Sequence, residues 1–247
     1  QAALREVTDF DAERGGSASA LPPLPVHPYG GLTAFFLLPL ILWHGLRMGW
    51  WPAPDFLPPP QTWFSVGVLD NVLVRVYGQF YRLATALTLH ADLRHLWGNV
   101  AFGALFLALL ARLTGVGRAV WLTMLGGILG NALTVLLRPR AVVSLGFSTA
   151  LFASMGALAG LMASREAQRR KAVLPIAAGA ALLAMLGTEG ENTDYAAHVA
   201  GLVCGLALGL AEGWRLRRGW PALPQIPAGL LALALPVLAW WWAFGTM

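Results

Sequence analysis

The stretch that decides the fold is Ala197-His198-Val199-Ala200-Gly201-Leu202-Val203-Cys204-Gly205-Leu206-Ala207-Leu208-Gly209-Leu210-Ala211. It contains no acidic side chain, lysine or arginine, which predicts a helix within a lipid bilayer. His198 opens the stretch, and glycines follow at i+3, i+7 and i+11 on the same helical face. Glycine at this spacing lets two helices approach closely in lipid, and Gly156 and Gly160 form a matching pair in another apolar run. A histidine on such a face is a functional-site hypothesis, because its desolvation must be compensated.

The whole chain has the composition of a membrane protein. Of its 247 residues, 57% are hydrophobic and 12% are charged, and the mean hydropathy is +0.62. Soluble domains carry about a quarter charged residues, and apolar runs near 20 residues can cross about 30 Å of hydrocarbon as helices. These values predict an all-α, polytopic transmembrane helical bundle. Its seven predicted spans lie at about 32–48, 96–111, 119–137, 148–163, 172–187, 196–211 and 224–244.

The spans divide the chain into three parts. Residues 1–30 are polar and predict a cytoplasmic tail, without the basic segment and short apolar core of a signal peptide. Residues 31–213 hold six spans, and residues 214–247 hold a basic linker and a seventh span. That last span carries Trp240-Trp241-Trp242, a run typical of an anchor at the membrane boundary.

The charged residues predict how the bundle is oriented. Basic residues gather in the loops after spans two, four and six, whereas residues 189–194 are acidic. Loops rich in lysine and arginine face the cytoplasm, so we expect a cytoplasmic N-terminus, with Ser148 and His198 near the outer ends of their helices. Arg138 and Arg140 lie in an outer loop and count against this orientation. The basic loops require no nucleic-acid partner, and the expected location is a bacterial inner (plasma) membrane.

The first outer loop, at about residues 49–92, is predicted to be functional. It is much longer than the connections usual in compact domains, which rarely exceed about 15 residues. Aromatic residues are interleaved in it with five prolines. Because aromatic rings favour the headgroup boundary, we expect the loop to lie partly embedded at the outer surface.

Polar residues at three span ends are placed to meet in one layer of the bundle. Ser148 begins span four and His198 begins span six, at a matching depth. At the start of span two, His95 and Asn99 stand at i and i+4 and therefore share a helical face. Both can donate hydrogen bonds to an oxyanion formed when a carbonyl is attacked. His90 lies at the lip of this layer, where a structural and a catalytic role fit equally well.

The chemistry of this layer is that of a serine nucleophile with a histidine base. Serine is a weak nucleophile until a neighbouring base accepts its proton, and neutral His198 can accept it and then protonate the leaving amine. Gly146 eases a tight backbone entry before Ser148, and Phe152, one turn later, can pack against the imidazole. Asp194 belongs to the acidic loop and is expected to be exposed, which favours a Ser–His dyad over a triad.

These residues resemble the motifs of the rhomboid intramembrane serine proteases. The likeness covers about residues 75–211. It rests on three motifs, which are His90, His95 and Asn99 at the family's spacing, Gly146-Phe147-Ser148, and Ala197-His198-Val199-Ala200-Gly201 with Gly205. The resemblance implies a six-helix core followed by a seventh span, with Ser148 as nucleophile and His198 as general base. It also implies an oxyanion hole built by His95, Asn99 and the backbone N–H of Ser148.

The resemblance further implies substrates that are single-pass or tail-anchored membrane proteins, cut near the membrane surface without a metal or an organic cofactor. Three positions depart from the family pattern. Thr149 replaces the usual glycine after the serine, and its branched side chain is expected to narrow the substrate pocket or to alter its selectivity. Phe152 replaces a tyrosine, and Tyr81-Arg82 stands where a Trp-Arg pair is usual.

Two other classes of function remain open from the sequence. A catalytically silent relative would bind transmembrane clients without cutting them, although such relatives typically lack the serine or the histidine. A haem-binding membrane protein would use two histidines such as His95 and His198 as axial ligands, and it would leave the serine motif without a role. A Soret absorbance band in the purified protein distinguishes the haem class from the other two.

Overall fold

The computed structural model describes residues 26–138, 141–186 and 194–247. Its α-helices are α1 (Leu38–Met48), α2 (Trp63–Gly67), α3 (Asn71–Tyr77), α4 (Arg82–Thr85), α5 (Leu93–Thr114), α6 (Val116–Leu137), α7 (Ser148–Ala163), α8 (Val173–Leu186), α9 (Tyr195–Arg217) and α10 (Gln225–Gly245). Short 3-10 segments occupy Gly30–Leu37, Pro60–Thr62, Ala86–Thr88 and Glu166–Ala172. Two short strands, β1 (Leu69–Asp70) and β2 (Val143–Ser144), pair antiparallel. The predicted tail over 1–25, Arg140 and residues 187–193 of the acidic loop lie outside the described residues.

Each of the seven predicted spans coincides with a helix of the structure. Five helical segments are long and apolar enough to cross a membrane, namely Gly30–Met48, α5, α6, α9 and α10. The fourth span is the shorter apolar helix α7, with 16 residues, and the fifth is α8. The chain is therefore an integral membrane protein built from helices, as its apolar runs predict.

The short helix α7 lies at the centre of the bundle. Every residue from Ser148 to Leu161 is buried, because α5, α6, α8 and α9 all pack against this helix. Its 16 residues rise only about 24 Å at the usual 1.5 Å per residue. Ser148, its first residue, is thus enclosed by other helices rather than presented to lipid.

Glycines bring α7 and α9 into direct backbone contact, as their spacing predicts. A Cβ atom added at Gly205 of α9 would fall on the carbonyl oxygen of Ala153, and one added at Gly156 of α7 would fall on that of Leu202. The same kind of overlap with the facing backbone would arise at Gly160, Gly201 and Gly209. No side chain separates the two helices along this seam, so residues at their first turns lie within reach of one another.

Two of the helices that carry the polar residues begin at carboxylate N-caps. Asp92 accepts a hydrogen bond from the backbone N–H of His95 at 2.8 Å, at the start of α5. Asp194 accepts one from the N–H of Ala197 at 3.1 Å, at the start of α9. Capping of free N–H groups fixes where a helix begins, and it therefore sets the positions of His95 and His198 on their helices.

A buried arginine ties together two helices of the long segment between α1 and α5. Arg82, which is 4% exposed, donates from Nη1 to the carbonyl oxygens of Ser65 at 3.1 Å and Val68 at 2.8 Å. These bonds fasten the end of α2 against α4. The β1–β2 pair then joins this segment to the chain just before Ser148, with Leu69 opposite Ser144.

The anchor prediction for the three tryptophans of α10 is wrong for the first of them. Trp240 is 6% exposed, and its ring centroid lies 5.0 Å from that of Trp43. Trp241 and Trp242 are 76% and 51% exposed, as an anchor requires. Trp240 faces inward because the side of α10 that carries it packs on the 63–88 segment and on α6.

Candidate active site

Ser148 and His198 meet where α7 and α9 begin. His198 Nε2 lies 2.7 Å from Ser148 Oγ, which is hydrogen-bond distance. Ser148 is 7% exposed and His198 is 5% exposed, so the pair is largely withdrawn from the protein surface. The contact predicted from the two motifs is present, because the glycine seam leaves the first turns of both helices within side-chain reach.

An aromatic ring holds the imidazole of His198. Phe152 stacks on it with ring centroids 4.7 Å apart and an interplanar angle of 15°. Phe152 is completely buried, so it cannot turn away without disturbing the core. The predicted packing is present, and it restrains the imidazole by contact rather than through a hydroxyl group.

Asp194 is partly buried, which contradicts the exposure expected from its acidic loop. Its side chain is 11% exposed. The carboxylate accepts hydrogen bonds from the N–H of Ala197 at 3.1 Å and from Arg138 Nη1 at 2.7 Å, and these two contacts draw it inward. Neither contact involves the imidazole, and within the described parts of the chain His198 Nδ1 has no hydrogen-bond partner. Among the described residues, Ser148 and His198 therefore stand as a pair, with no carboxylate hydrogen-bonded to the histidine.

The backbone before Ser148 makes a turn that requires glycine. Gly146 has φ of +123°, a conformation that residues with a Cβ atom rarely adopt. Its N–H donates to the carbonyl oxygen of Ala86 at 2.9 Å. The N–H of the next residue, Phe147, points to His90 Nε2 at 3.4 Å. Two consecutive N–H groups thus attach this loop to residues 86–90.

His95 and Asn99 face the same loop from α5. A Cβ atom added at Gly146 would lie 2.6 Å from His95 Nε2 and 3.6 Å from Asn99 Nδ2, so both side chains border the backbone next to Ser148. Asn99 is 5% exposed, and in the described ranges its Nδ2 donor has no hydrogen-bond partner. A buried donor without a partner costs free energy unless something else accepts its hydrogen bond. The predicted convergence of α5, α7 and α9 side chains at one point is present.

His90 contacts the loop before Ser148 from within the protein interior. It is completely buried, and this burial lowers the pKa of its imidazole well below the usual range. A neutral imidazole can accept the Phe147 N–H at Nε2. The His90 carbonyl oxygen in turn accepts a hydrogen bond from Arg47 Nη2 of α1 at 3.0 Å. No sequence motif singles out Arg47, since the group that it binds is a main-chain oxygen.

Thr149, the residue after Ser148, packs between helices. It is 3% exposed, and its Cγ2 methyl lies against two glycines, Gly130 of α6 and Gly201 of α9. The side chain therefore fills the space where α6, α7 and α9 meet. The first turn of α7 directs consecutive residues to different sides of the helix, so Thr149 and Ser148 have different neighbours.

Replacement of Thr149 by alanine is expected to lower stability and to leave selectivity unchanged. Removal of the buried methyl and hydroxyl groups leaves a small void, which we expect to cost about 1 kcal/mol. Thermal unfolding in detergent measures the loss of stability, and mapping of cleavage sites in a model substrate measures selectivity. Acceptance of larger residues at the cleavage site without loss of stability would favour the pocket interpretation.

The assembled groups have the chemistry for nucleophilic attack on a carbonyl. A hydroxyl group lies next to a base, neighbouring donors can bind a developing oxyanion, and the N-terminus of α7 adds the positive end of its dipole. Over the described ranges, no group of three His, Cys, Asp or Glu side chains is arranged to hold a metal ion.

Comparison with known proteins identifies related chains. A family model for the Rhomboid domain matches residues 77–215, which is more than half of the chain. Rhomboid-like protease 5 of Toxoplasma gondii is 31% identical over 166 residues, covering 65% of this chain but only 19% of that protein. Rhomboid-like protease 2 of the same organism is 27% identical over 208 residues, which cover 78% of this chain and 70% of that protein. Inactive rhomboid protein 1 of Drosophila melanogaster is 28% identical over 145 residues, which are 58% of this chain and 10% of that protein.

Proposed function

The chain belongs to the rhomboid family, and on that premise we propose that it is a serine endopeptidase that cleaves transmembrane segments of membrane-anchored proteins. The observation that carries the proposal is the 2.7 Å contact between Ser148 Oγ and His198 Nε2. Family membership alone does not decide activity, since matching relatives include two named proteases and one named inactive protein. The nucleophile and the base are both present in this chain, which favours the active class.

In the proposed reaction, Ser148 Oγ attacks the carbonyl carbon of the scissile peptide bond while His198 Nε2 accepts the hydroxyl proton. The C–N bond then breaks, and the imidazolium gives its proton to the leaving amine. Water hydrolyses the resulting ester on Ser148, with one water proton passing to His198 and then to Ser148 Oγ. The pair returns to its starting state, and no cofactor takes part.

His95 and Asn99 are the proposed oxyanion donors, together with the backbone N–H of Ser148. The support is their position beside Gly146 and the buried Nδ2 of Asn99, which has no partner within the described ranges. Donors that are already in place when charge develops need no reorganisation in the transition state. Phe152 is assigned the orientation of His198, a task that a carboxylate performs in triads.

The proposed substrates are single-pass or tail-anchored membrane proteins, and the bilayer is the medium in which they reach the site. Ser148 lies among helices that are long enough to span a membrane, so a substrate segment has to approach from within the lipid or at its surface. The proposed orientation follows the basic loops, with a cytoplasmic N-terminus and the site toward the outer face of a bacterial inner membrane.

Two observations weigh against the other classes of function. A client-binding protein without activity has no need of a serine hydrogen-bonded to a histidine. A haem iron bound at His198 Nε2 would displace Ser148 Oγ from this nitrogen, and the serine would then have no role. A colourless purified protein without a Soret band would complete the case against haem.

The test combines a chemical probe with a substrate. Purified protein in liposomes would be treated with a fluorescent fluorophosphonate, and parallel samples would receive a single-pass model substrate. Ser148→Ala is the informative variant. Ser154→Ala is its matched control, because Ser154 is a second buried serine of α7 whose Oγ donates to the Leu151 carbonyl oxygen at 2.6 Å.

We expect labelling and cleavage by the wild type and by Ser154→Ala, and neither by Ser148→Ala. A folded wild-type protein that is not labelled and leaves the substrate intact would overturn the proposal in favour of the client-binding class. Labelling that persists in Ser148→Ala would place the reactive group elsewhere in the chain.

A further inference from the structure

The seventh predicted span, α10, makes a polar contact close to the loop that leads to Ser148. Trp240 Nε1 donates a hydrogen bond to Thr88 Oγ1 at 2.9 Å. Thr88 Oγ1 itself donates a hydrogen bond to the carbonyl oxygen of Thr85 at 2.7 Å. The Trp240 ring also lies flush against Gly67, where an added Cβ atom would overlap with it. α10 thus holds the 3-10 turn Ala86–Thr88 in place through a directional bond as well as through packing.

The same turn holds the loop that leads to Ser148. The carbonyl oxygen of Ala86 accepts the N–H of Gly146 at 2.9 Å. Two residues beyond the turn, His90 Nε2 receives the N–H of Phe147 at 3.4 Å. The turn therefore lies between α10 on one side and the Gly146 backbone on the other, and a shift of the turn has to move both N–H contacts.

Trp240 differs from its aromatic neighbours in this respect. Trp43 and Trp63 stack at 4.2 Å in the same cluster, yet Trp43 Nε1 is buried without a hydrogen-bond partner in the part of the chain that the structure describes. Trp63 Nε1 donates to the carbonyl oxygen of Pro58, well before the turn in sequence. Within this cluster, the indole that binds the 86–88 turn is that of Trp240.

We infer that Trp240 is a positioning residue for the active site, and that it acts through Thr88 on the backbone at Gly146 and Phe147. The hydrogen bond from Trp240 to Thr88 fixes the Ala86–Thr88 turn in one position. The position of this turn then determines where Ser148 and its backbone N–H lie relative to the oxyanion donors. As far as it concerns catalysis, the inference rests on the proposed function. Its structural part, the attachment of the loop to α10, does not.

Kinetics give the first test, through the second-order rate of fluorophosphonate labelling and through kcat and KM for a model substrate. Trp240→Phe keeps a ring but loses the donor, and Thr88→Val keeps the shape but loses the acceptor. Each is expected to lower the labelling rate and kcat about threefold to tenfold, the range of one neutral hydrogen bond, with KM unchanged. The double variant is expected to match Thr88→Val, because that change alone removes the bond from Trp240 as well as the bond to Thr85.

Two control variants separate positioning from general packing. Thr88→Ser restores the hydroxyl group and is expected to regain the wild-type rate. Trp43→Phe makes the same change of ring in the same cluster without loss of a hydrogen bond, and its rate is expected to match the wild type. Equal losses in Trp43→Phe and Trp240→Phe, or additive losses in the double variant, would overturn the inference.

Amide hydrogen exchange provides a readout that does not depend on catalysis. Trp240→Phe and Thr88→Val are expected to speed exchange at the N–H groups of Gly146 and Phe147, while exchange in the centre of α7 stays as in the wild type. Unchanged exchange at these two groups would overturn the inference even in an active enzyme. Absence of wild-type labelling together with faster exchange in the variants would instead reject the proposed function and keep the attachment.

Discussion

Replacement of His198 with alanine is expected to slow fluorophosphonate labelling of Ser148 by at least about 10³-fold, since removal of one member of such a unit costs nearly as much as removal of the whole unit. His198 Nε2 lies 2.7 Å from Ser148 Oγ, and the structure offers Ser148 no other base at that distance within the described residues. Without a proton acceptor, the hydroxyl group remains a weak nucleophile. Labelling rates of the wild type and the variant at equal protein concentration measure the effect.

The matched control for His198→Ala is Asp194→Asn. Asparagine also caps helices well, so α9 keeps its start, but the ion pair with Arg138 is lost. Because no hydrogen bond joins Asp194 to the imidazole in the described residues, Asp194→Asn is expected to label at close to the wild-type rate. A loss as large as that of His198→Ala would show that the carboxylate acts on the histidine and that the site is a triad.

Replacement of Gly205 with alanine is expected to cause a larger loss of stability than Thr149→Ala. The added Cβ would fall on the carbonyl oxygen of Ala153, and backbone atoms cannot move aside as the end of a flexible side chain can. Overpacking of this kind costs about 2 to 3 kcal/mol. Relief by separation of α7 and α9 would also pull Ser148 away from His198. The midpoint temperature of thermal unfolding in detergent and the labelling rate should therefore both decrease.

Gly98→Ala is the matched control for Gly205→Ala. Gly98 also lies inside a long helix, α5, but a Cβ atom added there would meet nothing within 4 Å. Alanine favours helix over glycine by about 1 kcal/mol, so this variant should be as stable as the wild type or slightly more stable. Equal destabilisation by both substitutions would mean that the seam between α7 and α9 is looser than the structure has it.

The sequence predicts the helices and the glycine seam because both are local patterns. Apolar runs of a given length mark spans, and Gly201, Gly205 and Gly209 mark one face of α9 whatever lies opposite. The seam with α7 follows once Gly156 and Gly160 are read in the same way. The short helices between α1 and α5 carry no comparable pattern, and their arrangement depends on bonds such as those from Arg82 to distant carbonyl oxygens.

In the candidate site, too, residues marked by a local pattern can be identified from the sequence, whereas contacts between distant residues cannot. Ser148 and His198 are polar residues at the start of apolar runs, so the local pattern singles them out, and the spacing of His95 and Asn99 adds these two. The burial of Asp194 was mispredicted, because it depends on a partner from another part of the chain. For Asp194 that partner is Arg138, 56 positions away. The bond from Trp240 to Thr88 spans 152 positions, and no local pattern in the sequence predicts it.

The shortness of α7 also bears on how the protein enters the membrane. A segment inserts independently when about 20 apolar residues can span the hydrocarbon, and α7 has only 16. Its glycines, Gly156 and Gly160, face the backbone of α9, a helix that the ribosome synthesises later. Until α9 has been made, α7 lacks the backbone against which these glycines pack, so the contact between Ser148 and His198 forms only after both helices are in place.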